Sequence, residues 1–456
     1  LLKVVNKLGN LIILLTTRRD MVILFLLAVG LRLLLLIVSV DQIGTEKFLS
    51  TSPDTVNYVK MAVSLVKGTF TNEKGFFIFG PGYACFLAPF FFLFGVHAMP
   101  VILFQIVLSG FACILIFKFA MLLTRSHAVS MIAGLLAATS YTSISLSCVL
   151  LSDSSYFFFF LTGLILFLKG LIDGGWKYFF LSGILTGFAI LCRSIGQFWP
   201  LMMIIIALTV HITVRKESPD KPRLSLKRRM IGTLICIGIV VLLVSSWMIR
   251  NYFVHGIPTL SSAGKLGNVA LMTLHRLEGK TVEEIWKQWE EHYQAEKKVE
   301  KLTREDAFRM SLAESRRVLK NHPWEMLKTY LRLVWINLNE INHFHRALLP
   351  NYNPKTIPWG HEIKQKGWNY VNFYLSMAGL LLLLVTRRFR TFVVLGLVYF
   401  YYAAMIAFSH WQGSRMFFPG QIAWAVLIAV AFVSTYRFMK RLASVVKRPV
   451  VRRLND

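Results

Sequence analysis

The sequence predicts an all-α polytopic membrane protein with about ten transmembrane helices, extracytoplasmic juxtamembrane helices and one large outer loop. Three observations predict it. The chain is 55% hydrophobic and only 16% charged, with a mean hydropathy of +0.56, which excludes an ordinary water-soluble domain. Ten apolar runs suit helices that cross about 30 Å of hydrocarbon, at about 21–40, 98–123, 128–150, 156–171, 178–193, 197–214, 230–247, 367–385, 391–409 and 416–435. Basic residues gather in alternate loops, which sets an orientation.

Each element has its own signal. The first twenty residues mix Leu1, Lys3, Lys7, Leu11, Leu14 and Arg18, the pattern of a helix lying in the interface ahead of the first span. No small-residue cleavage pattern follows that span. In the outer segment 41–97, Val56, Val59, Val63 and Val66 repeat at helical spacing after Pro53, and Asp54 stands where an N-cap is expected. Gly75, Gly80, Pro81 and Gly82 then break the chain before an aromatic run, Phe86 to Phe94, suited to dip into the interface. Leu151-Ser152-Asp153-Ser154-Ser155 is a minimal outer link between the third and fourth spans.

The segment 248–366 is the sizeable water-facing part. Thr303-Arg304-Glu305-Asp306 has the form of a capping box, and Asn321-His322-Pro323 restarts a helix with proline in its first turn. Trp324, Leu327, Leu331, Trp335 and Leu338 share one face of that helix, which suits the membrane surface. Three regions are expected: an N-terminal transmembrane module with a catalytic first outer loop (1–247), an extracytoplasmic helical loop (248–366), and a C-terminal transmembrane module with a cytoplasmic tail (367–456).

A net charge of +28 suggests a nucleic-acid partner at first sight. The placement of the charge argues against one. Basic residues in 215–229, 386–390 and 436–456 occupy the segments that a cytoplasmic N-terminus puts inside. Both termini are then cytoplasmic, and the expected location is the inner membrane of a cell envelope. Cys85, Cys113, Cys148, Cys192 and Cys236 all lie in apolar stretches, so no disulfide framework is expected.

Asp54 and Asp153 carry the chemical signal. Between Lys74 and Gly170 Asp153 is the only acid, and an ionisable group beside a bilayer marks a functional site by default. In this orientation both acids share the outer side. A carboxylate there can take the proton of an acceptor hydroxyl, and an anionic phosphate leaving group needs fixed positive charge. Arg193, Arg250 and Arg415, each at a span end, are the candidates to bind phosphate oxygens. Arg32 lies mid-span and should face the bundle interior beside a partner. His343, His345 and His361 are the one histidine cluster, without cysteines or paired carboxylates to complete a zinc site. Asp54 and Asp153 together also have the oxygen atoms to share a divalent cation. No Gly-rich phosphate cradle is present.

Ordered features along most of the chain resemble the C-type glycosyltransferase superfamily, in its protein O-mannosyltransferase and aminoarabinose-transferase branch. They are Asp54 with Tyr58 and Leu65-Val66-Lys67-Gly68, then Gly80-Pro81-Gly82-Tyr83 and Leu93-Phe94-Gly95. Asp153, Leu191-Cys192-Arg193, Trp247-Met248-Ile249-Arg250-Asn251-Tyr252 and Arg415 to Pro419 follow. The resemblance implies that Asp54 acts as general base and that Asp153 is the second acid near the reaction centre. It also implies that Arg193, Arg250 and Arg415 hold the lipid phosphate, with Tyr58 and Tyr83 in the substrate site, and it implies no metal requirement. Thr55 stands where the family often has a second acid. Phe79 precedes the Gly-Pro pair where the aminoarabinose branch has a charged residue, for which Lys74 can substitute.

The expected function is therefore an inverting glycosyltransferase. It takes a sugar from a polyprenyl-phosphate donor to a lipid, glycan or protein acceptor at the extracytoplasmic face, among membrane lipids and with no cofactor. The alternative is a transporter or flippase for a lipid-linked sugar, although Gly/Pro breaks concentrate in 75–100 instead of recurring at matching positions.

Overall fold

Helices form at all ten apolar runs, and most breaks between them fall on residues that cap or stop a helix. The computed structural model describes residues 2–70, 79–217, 224–261, 265–340, 347–351, 361–408 and 413–452, and no strand occurs among them. Among the described residues, seven helices are long and apolar enough to cross a bilayer. These spans lie in α1 (Leu2–Ile43), α4 (Ala98–Thr124), α7 (Ser152–Asp173), α10 (Leu226–His255), α15 (His361–Val385), α16 (Phe389–Ile406) and α17 (Gln421–Arg452). The expected third span is two helices, α5 (His127–Thr139) and α6 (Tyr141–Ser147), bent by 53°. The fifth and sixth spans are α8 (Trp176–Cys192) and α9 (Trp199–Glu217), whose apolar parts are shorter. At 1.5 Å per residue the 17-residue α8 rises only about 25 Å, less than the hydrocarbon thickness.

The bend in the third span has an identifiable cause. Ser140 adopts an extended conformation and caps α6, accepting the Ser143 N–H. The carbonyl of Ala138 accepts from Arg32 Nη1 at 3.1 Å. Arg32 is fully buried and also donates to Ser109 Oγ at 2.8 Å and Ser143 Oγ at 2.7 Å. The partner expected for Arg32 is thus a set of hydroxyls and carbonyls on α1, α4, α5 and α6, with the Cys113 thiol 4.0 Å from its Nη2. The separate N-terminal interface helix is a correction too: α1 runs without a break from Leu2 through the first span.

One apolar core runs through the spans, with α1 on α4, α4 on α5, α7 on α8, α8 on α10, and α17 packed against α5 and α15. The loop-rich face carries α2 (Pro53–Val66), α3 (Gly82–Phe94) and a four-helix unit. On α2 the buried line is Thr55, Tyr58 and Ala62, one position round from the valine stripe. On α3, Phe86 and Phe91 are buried while Phe92, Leu93 and Phe94 are exposed at its end.

The four-helix unit comprises α11 (Lys265–Glu278), α12 (Val282–Lys297), α13 (Arg304–Asn321) and α14 (Pro323–Asn339), around a core of its own that includes Trp289, Met310 and Leu333 and reaches Ala407 at the end of α16. The capping box at Thr303 is present, with a second at Thr281 and Glu284, and Pro323 opens α14. Met326, Thr329 and Leu333 form the buried face of α14. Trp324 is 73% exposed, and Leu327, Leu331 and Trp335 lie on the same uncovered side, whereas Leu338 turns inward.

Candidate active site

Two helix starts on the loop-rich face position the acids. Ser52, and not Asp54, caps α2: its hydroxyl accepts the Thr55 N–H at 3.1 Å, and Pro53 fills a first-turn position that needs no N–H. Asp54 therefore sits in the first turn, where the helix dipole favours a carboxylate. Asp153 has the equivalent place on α7, just after the extended residue Leu151.

Arg415, on a short 3-10 turn at 413–415, joins the two acids. Its Nη2 donates to Asp54 Oδ2 at 3.1 Å and its Nε to Asp153 Oδ2 at 3.3 Å. Arg193, at the end of α8, is ion-paired to the other oxygen, Asp153 Oδ1, and its Nη2 lies 3.4 Å from Met416 Sδ. The group of two acids and two guanidiniums is neutral as a whole. Its two acids differ in access: the Asp153 side chain is 0% exposed with both oxygens engaged, and Asp54 is 29% exposed.

The surrounding residues fix this geometry. Tyr58 lies one turn beyond Asp54 on the same face of α2, and its hydroxyl is 3.0 Å from Ser152 Oγ, which pins α2 to the start of α7. Burial lifts the Tyr58 phenol to about 12. Tyr83 donates to Gln105 Oε1 at 2.7 Å, and the Gln105 amide donates to Val149 O at 2.9 Å, bracing the link that leads into α7. A Cβ on Gly80 would fall 2.3 Å from Leu191 O, and one on Gly82 2.5 Å from Cys192 N. Glycine at both positions lets this loop pack directly on the backbone that presents Arg193. Tyr401 donates to Ile195 O at 2.7 Å and accepts the Phe198 N–H at 3.2 Å, holding the other side of the same turn.

The structure thus brings together Asp54, Asp153, Arg193 and Arg415 from segments up to 361 residues apart. It does not bring Arg250 into that group. Arg250 Nη1 donates to Asn251 Oδ1 at 3.0 Å and lies 3.1 Å from His255 Nε2, and its guanidinium stacks over Trp247. His255 Nδ1 is 2.5 Å from Glu305 Oε1, so the chain of contacts ties α10 to α13. Tyr58 and Tyr83 are both buried, with their hydroxyls on Ser152 and Gln105. Lys74, His343, His345 and the side chain of His361 lie outside the described residues. Among the described residues no three His, Cys, Asp or Glu gather as a metal cluster, and the Arg415 guanidinium lies between the two carboxylates. Sequence reasoning passed over Ser152, Met416 and Gln105. A primary amide inside an apolar span was the available signal for Gln105.

Comparison with known proteins bears on this arrangement. Residues 80–249 match the family described as dolichyl-phosphate-mannose-protein mannosyltransferase. The fold matches the archaeal oligosaccharyltransferase AglB from Archaeoglobus fulgidus, determined in complex with an inhibitory peptide and a dolichol-phosphate. The TM-score is 0.52 at 14% identity, over 94% of this chain and 51% of that one. The chain is similar to the C-type membrane glycosyltransferases. A second structure of the Archaeoglobus fulgidus oligosaccharyltransferase, complexed with Zn and sulfate, matches at a TM-score of 0.45 and 12% identity, over 92% of this chain and 49% of that one. The chain spans about half the length of these archaeal C-type enzymes. No curated protein matches it in a sequence search. The segment matching the mannosyltransferase family contains Asp153 and Arg193, whereas Asp54 and Arg415 lie to either side of it.

Proposed function

We propose that the chain is an integral-membrane glycosyltransferase. It moves a sugar from a polyprenyl-phosphate donor to a hydroxyl of a lipid, glycan or protein acceptor at the extracytoplasmic face. The observation that carries this reading is the asymmetric acid pair: Asp54 is 29% exposed and 3.1 Å from Arg415, while Asp153 is enclosed between Arg415 and Arg193. The similarity to the mannosyltransferase family, and the dolichol-phosphate held by the archaeal enzyme, support a lipid-phosphate donor.

In the proposed step Asp54 takes the acceptor hydroxyl proton as its oxygen forms a bond to the anomeric carbon. The bond from that carbon to the phosphate oxygen breaks, its electron pair stays on the phosphate, and the configuration inverts. Arg415 and Arg193 stabilise the charge of the departing phosphate, so the step calls on no metal. Asp153 holds the two guanidiniums apart from each other and aimed at one place. When the donor phosphate engages Arg415, the Asp54 carboxylate loses that partner and becomes a better base.

The test is transfer by the purified chain in nanodiscs, with a labelled polyprenyl-phosphate sugar and a candidate acceptor. Asp54→Asn is expected to lower turnover by about 10²–10⁴-fold, the usual contribution of a general base. Donor movement across liposomes without any transfer would instead establish a transporter and end the proposal.

A further inference from the structure

A cavity of about 290 Å³ lies on the other side of the turn that carries Arg415. It opens between the α5–α6 break, the start of α15 and the first turns of α17, and Ser414 forms part of its wall. Three properties define what fits it. None of the described residues that line it is charged. Aromatic rings supply much of the wall, among them Trp368, Tyr399 and Trp424. Finally, Gln421 lines it at 1% exposure, and among the described residues neither its Oε1 nor its Nε2 has a hydrogen-bond partner. Asn372 Oδ1, also in the lining, is buried without a partner in the same way.

Buried primary amides are nearly always satisfied, because leaving their donors and acceptors unpaired is costly. A ligand for this cavity must therefore donate to Gln421 Oε1 and accept from Nε2, while laying an apolar face on aromatic rings. A sugar ring does both: its hydroxyls donate and accept, and its C–H face stacks on tryptophan or tyrosine. A carboxylate or ammonium group would be buried there without a counter-charge. Since Ser414 and Arg415 are consecutive, such a ring sits next to the site where the phosphate is bound.

We infer that this cavity takes an uncharged sugar ring, so that the sugar of the donor or of the acceptor is a neutral one, neither a uronic acid nor an amino sugar. The inference deepens the glycosyltransferase reading and rests on it for the naming of donor and acceptor. The cavity's own chemistry can be measured without turnover.

The experiment measures binding of short butyl hexosides, at concentrations far below those at which they form micelles, to the full chain in nanodiscs by tryptophan fluorescence. The matching butyl hexuronide and a butyl amino-hexoside serve as charged comparisons. The hexoside is expected to bind, the charged probes at least tenfold more weakly. Gln421→Leu should weaken the hexoside about tenfold, and Asn372→Leu should do the same. The unliganded Gln421→Leu chain should melt no lower than the parent, because an apolar side chain replaces an unpaired amide.

Competition between the hexoside and a short isoprenyl-phosphate hexose assigns the cavity to the donor's sugar, and independent binding assigns it to the acceptor's. Equal affinity for the charged probes, or unchanged affinity in both amide variants, overturns the inference. If hexoside binding depends on Gln421 but no transfer occurs, the transferase reading fails and the sugar site stands.

Discussion

Replacing the two acids one at a time, each by asparagine, separates their roles. Asp153 is enclosed, with one oxygen on Arg193 and the other 3.3 Å from Arg415 Nε. Asp153→Asn preserves shape and removes the charge that both guanidiniums share. Arg193 and Arg415 then lose the charge that compensates both, and removing one partner from a buried ionic group costs about 3–5 kcal/mol by mutational precedent. Asp54 differs because it is 29% exposed and makes one contact to Arg415. A half-open pair of this kind contributes about 1 kcal/mol or less. The expected result is a crossed pattern: Asp153→Asn lowers unfolding stability by about 3–5 kcal/mol, while Asp54→Asn barely changes stability yet lowers turnover by about 10²–10⁴-fold. Denaturant unfolding in micelles followed by tryptophan fluorescence, with transfer measured on the same preparations, reads both. An Asp153→Asn chain as stable as the parent would refute the enclosed acid, and a fully active Asp54→Asn chain would refute the base.

Other perturbations test the framework around the acids. Gly80→Ala, whose Cβ would meet Leu191 O at 2.3 Å, should displace the end of α8 and lower transfer at least tenfold, measured as turnover alongside the melting temperature. Arg32→Met leaves the Ala138 carbonyl and the Ser143 hydroxyl without their donor, at about 1–3 kcal/mol for the carbonyl. Faster amide hydrogen exchange confined to 139–147 is the expected readout, and unchanged exchange there would dismiss Arg32 as the tie. In the four-helix unit, the Thr281 backbone N–H lowers the Glu284 carboxyl and the Thr303 hydroxyl lowers Asp306. A carboxyl held below its unfolded value stabilises the fold above that value, and the contribution fades as pH falls through the folded one. Helices α12 and α13 should therefore begin to loosen below pH 4.5 and 3.8, the ordinary values of the two groups, and Glu284→Gln should flatten the α12 response in circular dichroism.

The helical architecture was legible in the sequence because its cause is additive: twenty apolar residues make a span whatever their order. The break in the third span was not: Ser and Thr crowd 139–147, but the bend also involves Arg32, a residue on another helix whose guanidinium takes up the Ala138 carbonyl. Helix α11 also escaped notice, because Lys265–Glu278 is too short and mixed to stand out beside the spans. Likewise the exposed stripe of α14 was visible as a period, whereas the valine period of α2 named the face beside the buried one. Periodicity states how many faces a helix has and leaves open which of them meets protein and which meets lipid.

The site divides along the same line. Asp54 and Asp153 stand out from sequence alone because a carboxylate beside hydrocarbon needs a reason. Three outer arginines carried the same span-end signal, and only tertiary packing separates them: Arg193 and Arg415 reach the acids, while Arg250 turns to Trp247, Asn251 and His255. The residues that make the difference are small or neutral. Gly80 and Gly82 let a loop lie on the Leu191–Cys192 backbone, and Ser152 and Gln105 receive Tyr58 and Tyr83. Gly80 and Gly82 read in the sequence as a break and Gln105 as an amide inside a span, but none of these signals says which neighbour each residue lets into place. Charge identifies an acid in a sequence, whereas access separates two acids that look alike on the page: one is sealed between two guanidiniums and the other is part-exposed beside one. That difference is why a single substitution at each position, with stability and turnover read together, discriminates more sharply than any survey of the site's charged residues.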